Sequence, residues 1–361
     1  MKNSDMKKSQ NRYSKTLADI VRDIIWAQWN RLGLNGTGGI NRYSVDIESS
    51  LIAAGYGSRL DGRLYEGVWS WIQRYDSIIN AERFSTLICE SHDEWIARFF
   101  GALLSNINPA QWKGVINRCR KMCSRSWKNT PLMIDFCDRN WRSEDPLLKE
   151  WGIFYDHIKP RDKMQNSDII LRNNALMRYR YLYGTVMRAD VLYLLSISHG
   201  TQAKREIDFL TSARLADRLC CHLSTIHRIQ KDLEEGGFIE QARGHEIKRL
   251  MVTWQIKDIG FLRKEEDYDV GMIDWNKING HLRAVLNLAN LFQTSPSEAI
   301  LKAKIQEFQN DFFPILLDHE VRISREYGSA LGPLEKYSVD ELFNTLHKTL
   351  QSFYRYICGL P

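Results

Sequence analysis

Residues 208–255, DFLTSARLADRLCCHLSTIHRIQKDLEEGGFIEQARGHEIKRLMVTWQ, decide the fold. The stretch divides into a short helix, a tight turn, a longer helix and two strand-like runs. Thr211 and Ser212 are residues of the type that caps a helix, and apolar residues follow at helical spacing in 213–219. The order predicts two helices joined by a turn and followed by a hairpin.

The second of these helices, 225–235, has two chemically different faces. Ser224 is its predicted N-cap, and two glycines follow its last residue. Apolar residues recur at i, i+3 and i+7, so they form a face that packs on the rest of the domain. The remaining faces carry the predicted major-groove residues Thr225, His227, Arg228 and Lys231. The pattern is typical of a recognition helix.

The hairpin after this helix is predicted from two runs rich in apolar and β-branched residues, 238–241 and 248–254. A short charged tip, 243–246, is expected between them. Four residues of the hairpin are expected near DNA phosphates: Arg243, His245, Lys248 and Arg249. Ser212 and Arg214 of the first helix, with Ser224, complete the predicted DNA contact.

This order resembles the winged helix-turn-helix of bacterial transcription regulators. LEEGGFIE at 233–240 is similar to that family's passage from recognition helix to wing. RADVLYLL at 188–195 is similar to a core phrase of its first helix, with Arg188 facing out and three apolar residues facing in: Ala189, Leu192 and Leu195. The resemblance implies binding to double-stranded DNA.

The whole chain is similar to a group of bacterial helix-turn-helix proteins, regulators or antitoxins encoded beside nucleotidyltransferase-like proteins. A Trp-rich head, IIWAQWNRLGL at 24–34 and RLYEGVWSWI at 63–72, precedes the winged part, and a tail with Asp-Trp at 274–275 follows it. The resemblance implies no catalytic activity.

The fold class predicted from these patterns is mainly α, with a central winged helix-turn-helix domain between two helical domains. Residues 1–15 are expected to be a mobile basic arm, and 16–160 a helical Trp-rich domain. Residues 161–257 are expected to hold a connecting helix and the winged domain, and 258–361 a C-terminal helical domain.

Composition indicates a globular chain with an uneven charge. Its 361 residues are 43% hydrophobic and 26% charged, without an apolar run long enough to span a membrane. Seven scattered cysteines and a polar N-terminus favour the cytoplasm. The net charge is +6, yet residues 258–361 hold 11 basic and 15 acidic residues, so the basic excess lies in the part with the predicted winged domain.

Catalytic and metal chemistry find little support in the sequence. The glycine-rich turn 33–39 lacks the lysine of a phosphate loop, and Asp61 lacks the second carboxylate of a nucleotidyltransferase site. Two cysteines four residues apart have only distant candidates to complete a zinc site: Cys119 and Cys123, with Cys137 and His157. We therefore predict a non-enzyme without cofactor, metal or catalytic residue.

A basic segment at 112–128 stays open to several interpretations. It holds six basic residues and no acidic one, flanked by two tryptophans. The segment could contact phosphates, bind an acidic partner or form a solvated face.

Two functions follow from the sequence. The first is sequence-specific binding of double-stranded DNA as a transcriptional regulator, a repressor or autoregulator, acting as a homodimer. The alternative is an antitoxin-like or defence-system subunit whose winged helix and helical domains bind a protein partner, such as a nucleotidyltransferase-like toxin.

Overall fold

The computed structural model describes residues 2–123, 132–133, 145–154, 164–200, 211–246, 249–256, 273–294, 297–318 and 337–360. The fold is mainly helical, as predicted. The first helices are α1 (Lys2–Arg31), α2 (Ile47–Gly57), α3 (Gly62–Tyr75), α4 (Ala81–Glu90), α5 (Glu94–Ile107), α6 (Lys113–Met122) and α7 (Pro146–Glu150). They are followed by α8 (Ser167–Asn173), α9 (Ala175–Tyr183), α10 (Met187–Gly200), α11 (Ser212–Arg218) and α12 (Leu223–Glu235). The C-terminal helices are α13 (Trp275–Gln293), α14 (Glu298–Asp318) and α15 (Val339–Cys358).

Strands pair in two small sheets. The two-residue strands β1 (Leu132–Met133) and β2 (Ile153–Phe154) are parallel, and β3 (Ile239–Glu246) and β4 (Arg249–Ile256) form an antiparallel hairpin.

Helix α1 begins earlier than the sequence predicts. It runs from Lys2, so residues 2–15, for which a mobile arm was expected, are helical and continue into the helix expected from residue 16. Tyr13 gives the physical reason, because its buried ring stacks on Phe343 at 4.0 Å and meets Phe292 edge-on at 5.6 Å. The apolar face of α1 thus extends beyond the point where the apolar spacing in the sequence begins.

The tryptophans of the N-terminal helices form core, as their spacing suggests. Trp29 and Trp71 are fully buried and meet edge-on at 5.5 Å. Each indole N–H donates to a backbone carbonyl, Trp29 to Ser50 at 3.1 Å and Trp71 to Leu32 at 2.9 Å. Trp29 and Trp71 are therefore buried with both of their indole N–H groups paired.

The C-terminal helices pack on the N-terminal ones. Helix α13 lies against α1 and α2, and α14 and α15 pack on α13 and α1. A buried polar cluster joins these elements, because Gln28 donates to Asn279 at 3.0 Å and Asn279 donates to the Ser49 hydroxyl at 2.8 Å. We call α1–α7 with α13–α15 the helical body. The domain boundaries stay predictions, but helices on both sides of residue 258 share one core.

Asn174 and Pro314 are two positions at which a helix could end. Asn174 separates α8 from α9, because its side chain accepts from the Met177 N–H at 3.2 Å and starts α9. Helix α14 continues through Pro314 to Asp318.

The buried amide of Asn279 offers a first test of this packing. Replacing it in Asn279→Ala leaves the Gln28 amide and the Ser49 hydroxyl without this partner inside the core. We expect the free energy of unfolding to fall by about 1–3 kcal/mol, measured by urea denaturation. The matched control is Asn290→Ala, on the exposed side of the same helix, which should change stability by less than about 0.5 kcal/mol. Equal losses in the two variants would contradict this role.

Candidate nucleic-acid interface

The helix pair α11 and α12 is joined by a turn with a left-handed residue. Thr211 caps α11 as predicted, since its hydroxyl accepts from the Arg214 N–H at 3.3 Å. Cys220 has φ +50°, and the N–H groups of Cys220 and Cys221 donate to Asp217 and Ala216 at 3.2 and 3.0 Å. These two bonds form a Schellman motif, which ends α11 and turns the chain into α12.

The start of α12 corrects one expectation. The helix begins at Leu223, so its N-cap is His222 and not Ser224. His222 makes no side-chain capping bond, and Ser224 lies exposed in the first turn. The Schellman turn fixes where the helix starts, which outweighs the local capping preference of Ser224.

The two faces of α12 are arranged as the sequence predicts. Ile226, Ile229 and Leu233 are buried. The opposite side exposes His227, Arg228 and Lys231, whereas Thr225 is half-buried. The Lys231 side chain is 75% exposed, and its ammonium lies 3.8 Å from Glu235. Arg214 on α11 is also exposed.

Ser212 has a different role from the predicted phosphate contact. Its hydroxyl donates to the Gln230 side-chain oxygen at 2.7 Å, and the Gln230 side chain is fully buried. The hydroxyl therefore links α11 to α12 through a hydrogen bond within the helix pair. The spacing of residues along the sequence could not predict this hydrogen bond, because it joins side chains on two different helices.

The hairpin extends further than predicted. β3 continues to Glu246 and pairs with Arg249 of β4, so 243–246 is strand and the expected tip at these residues is wrong. The register pairs residue 243 with 252 and residue 245 with 250. Residues 243 and 245 thus share one face of the hairpin and residue 249 lies on the other. Lys248 lies outside the described residues.

The hairpin root packs on the helix pair and on α10. Ile239 is fully buried, and β4 lies against α10. On α10 the orientation predicted from RADVLYLL is confirmed: Arg188 is exposed, and the buried residues are Ala189, Leu192 and Leu195. The Arg188 guanidinium also forms an ion pair with Asp232 of α12. These contacts define how α12 sits on the hairpin.

A set of charges, all buried except the half-buried Asp46, connects α10 to the helical body, and we call it the buried ion network. Its members are Asp46, Glu48, Arg83, Arg180 and Asp190. Arg180 lies between the carboxylates of Glu48 and Asp190, at 2.6 and 2.7 Å. Arg83 contacts the second oxygen of Glu48 at 2.7 Å. The sequence does not reveal this network, because an arginine in an aromatic-basic run carries no mark of burial.

Electrostatics favour the charged form of Glu48. Burial raises the pKa of its carboxyl, but the guanidiniums of Arg180 and Arg83 outweigh this effect and lower the pKa to about 2. Burial raises the pKa of Asp190, with a smaller contribution in the same direction from Glu48, and Arg180 offsets only part of the rise. Burial lowers the pKa of Arg180, yet the two carboxylates hold it well above its ordinary value.

The network reaches the helix pair through the carbonyl of Arg218 at the end of α11. Arg83 donates to this carbonyl at 3.4 Å, and Asn276 of α13 donates to it at 3.1 Å. Lys277 lies 3.7 Å from Asp217. The helix pair is thus held by α4 and by the first turn of α13.

A small cavity lies beside the network. Its volume is about 40 Å³, which is room for a few water molecules. Arg83 Nε and Asn276 Oδ1 are buried there without a hydrogen-bond partner among the described residues. We interpret the cavity as a hydration site, because a nucleotide or drug-sized ligand needs several hundred cubic ångströms.

The described ranges show neither a metal-binding cluster nor a membrane-spanning helix. They contain no group of three or more histidine, cysteine or acidic side chains placed to hold a metal ion. Cys123 donates to the Cys119 carbonyl at 3.2 Å, and Cys137 and His157 lie outside these ranges. Helices there are too short or too polar to cross a membrane.

Comparisons of the chain with protein-family models, with curated proteins and with solved structures find no match. The assignment of a winged helix therefore stays a prediction.

The buried ion network generates a second test. Arg180→Ala leaves Asp190 without its guanidinium partner and removes half of the charge compensation of Glu48. We expect a loss of about 3–5 kcal/mol in the free energy of unfolding, because an uncompensated charge stays buried. The control Arg188→Ala removes the same side chain from an exposed pair and should cost less than about 1 kcal/mol. A loss for Arg180→Ala no larger than the control's would show that the network contributes nothing to stability.

Proposed function

We propose that the protein binds double-stranded DNA sequence-specifically through a winged helix and acts as a transcriptional regulator. The observation that carries the proposal is the exposed polar face of α12, with His227, Arg228 and Lys231, on a helix whose apolar face is buried. The order of α10, the helix pair and the β3–β4 hairpin supports the winged-helix interpretation.

The charge along α12 favours one way of docking. The exposed basic residues lie in its second and third turns, whereas Glu234 and Glu235 are exposed at its end. The helix would then enter the major groove with the turns up to Lys231, and the acidic end would stay outside it, away from phosphates. Arg214 at the start of α11 would contact the backbone beside the groove. A homodimer would place two such helices on half-sites one or more helical turns apart.

Salt dependence and sequence preference test this proposal directly. Binding to the DNA upstream of the protein's own coding sequence and to random duplex would be measured by fluorescence anisotropy across a salt series. We expect affinity to fall steeply with salt on both duplexes, because lysine and arginine release counterions from phosphates. At each salt concentration the upstream DNA should bind more tightly. Absence of binding to any duplex at low salt would overturn the proposal.

Arg228 is the best candidate for reading a base, since a guanidinium can contact guanine through two hydrogen bonds. We expect Arg228→Ala to reduce the preference for the upstream DNA over random duplex by about 1–3 kcal/mol, roughly 5- to 150-fold. Arg355→Ala on α15 removes the same charge from a remote exposed position and should leave the preference unchanged. An equal loss of affinity on both duplexes would make Arg228 a phosphate contact instead.

A protein-binding function is the second candidate. Large apolar side chains are exposed where α9 ends and where the hairpin begins: Tyr181, Leu182, Val186 and Phe238. Exposed apolar groups of this kind are common in protein interfaces. An antitoxin-like or defence-system subunit would use this surface to hold a protein partner. Failure to bind duplex at low salt would favour this candidate.

A further inference from the structure

Helix α6 exposes a polar and basic face. Its buried residues Val115, Ile116 and Cys119 pack towards α5 and α4. The outer side exposes Lys113, Asn117, Arg118, Arg120 and Lys121. Lys113 and Lys121 are eight residues apart, so the face is about 12 Å long. Arg125 and Lys128, which the sequence analysis included in this segment, lie outside the described residues.

Three of these charges have no acidic partner among the described residues. Lys113, Arg118 and Lys121 form no ion pair there, whereas Arg120 lies 3.9 Å from Glu150 and over the Trp151 ring at 5.6 Å. Helix stability explains only the basic residues of the last turn, which complement the helix dipole. Lys113 stands in the first turn, where a positive charge is unfavourable. Helix stability therefore does not explain Lys113.

The chemistry of this face selects among possible partners. Its exposed surface lacks a large apolar side chain among the described residues. A protein partner would need aromatic or aliphatic anchors, and a membrane surface would need an apolar helix face. On the same side, a Cβ atom added at Gly114 would have no described atom within 4 Å, so this part of the face is also open. A face of cations and amides fits a polymer of regularly spaced phosphates.

The face is separated from the exposed side of α12. Helix α4 contacts α6 on one side, and its Arg83 reaches the end of α11 on the other. Helices α4 and α11 thus lie between α6 and α12 in this series of contacts. Glu82 and Glu90 are exposed on α4. The basic face of α6 is thus a contact of its own and not a continuation of the α12 surface.

We infer that α6 is a second, sequence-independent phosphate contact for double-stranded DNA, through Lys113, Arg118 and Lys121. The inference rests on the DNA-binding function proposed above. It assigns two tasks to two surfaces: α12 discriminates between sequences, and α6 adds affinity for any duplex.

The test neutralises the three charges together in the full-length chain, as Lys113→Gln, Arg118→Gln and Lys121→Gln. Glutamine preserves helix propensity, and circular dichroism with thermal unfolding would verify the fold. The matched control, Lys304→Gln, Lys348→Gln and Arg355→Gln, removes the same charge from exposed positions on α14 and α15. Binding to random duplex and to the upstream DNA would be measured from 50 to 200 mM salt.

We expect the slope of log affinity against log salt to become shallower by about 3 in the α6 variant, and to stay unchanged in the control. Over this fourfold salt range the wild type should lose roughly 40-fold more affinity than the α6 variant. The ratio of affinities for the two duplexes should be the same in wild type and variant.

Each other outcome has a distinct meaning. If the wild type binds duplex and the α6 variant keeps its slope, the inference is overturned while the proposed function stands. If the α6 variant also changes the ratio between the two duplexes, α6 reads sequence and the division of tasks is wrong. If the wild type binds neither duplex at low salt, the proposed function fails, and the inference fails with it.

Discussion

The guanidinium of Arg180 contacts Glu48 on α2 at 2.6 Å and Asp190 on α10 at 2.7 Å, with all three side chains buried. Removing such groups from water is unfavourable unless each finds its partners at good geometry. Apolar contacts are non-directional, whereas these charges have few alternative partners in the core. We interpret the buried ion network as the constraint that sets how α10, and the helix pair packed on it, sit on the helical body.

In this arrangement the face of α12 that we propose for DNA binding is exposed, while the helix pair is held against the helical body. Asn276 and Arg83 hold the carbonyl of Arg218 from one side, and the Ser212–Gln230 bond joins α11 to α12. The cavity beside the network holds only about 40 Å³, so the network is best understood as a structural joint. A binding surface on a rigid support keeps its geometry when it meets a partner, which reduces the ordering cost of binding.

Basic and acidic residues are concentrated in different parts of the molecule. The second and third turns of α12 and the outer face of α6 are basic, whereas residues 258–361 carry an excess of acidic residues. A polyanion would approach the two basic surfaces and be repelled by the C-terminal part of the chain. Glu82 and Glu90 are exposed on α4, which contacts α6.

Residue type and periodicity by themselves determined the helical class, the cap at Thr211 and the two faces of α12. These features depend on residues a few positions apart, so they are readable from the chain alone. Tertiary structure decided the burial of Arg180, because Glu48 lies 132 residues away. It also decided the extension of α1 to Lys2 through Tyr13 and the internal role of Ser212. In each case the partner comes from another helix, and only the folded chain brings the two side chains together.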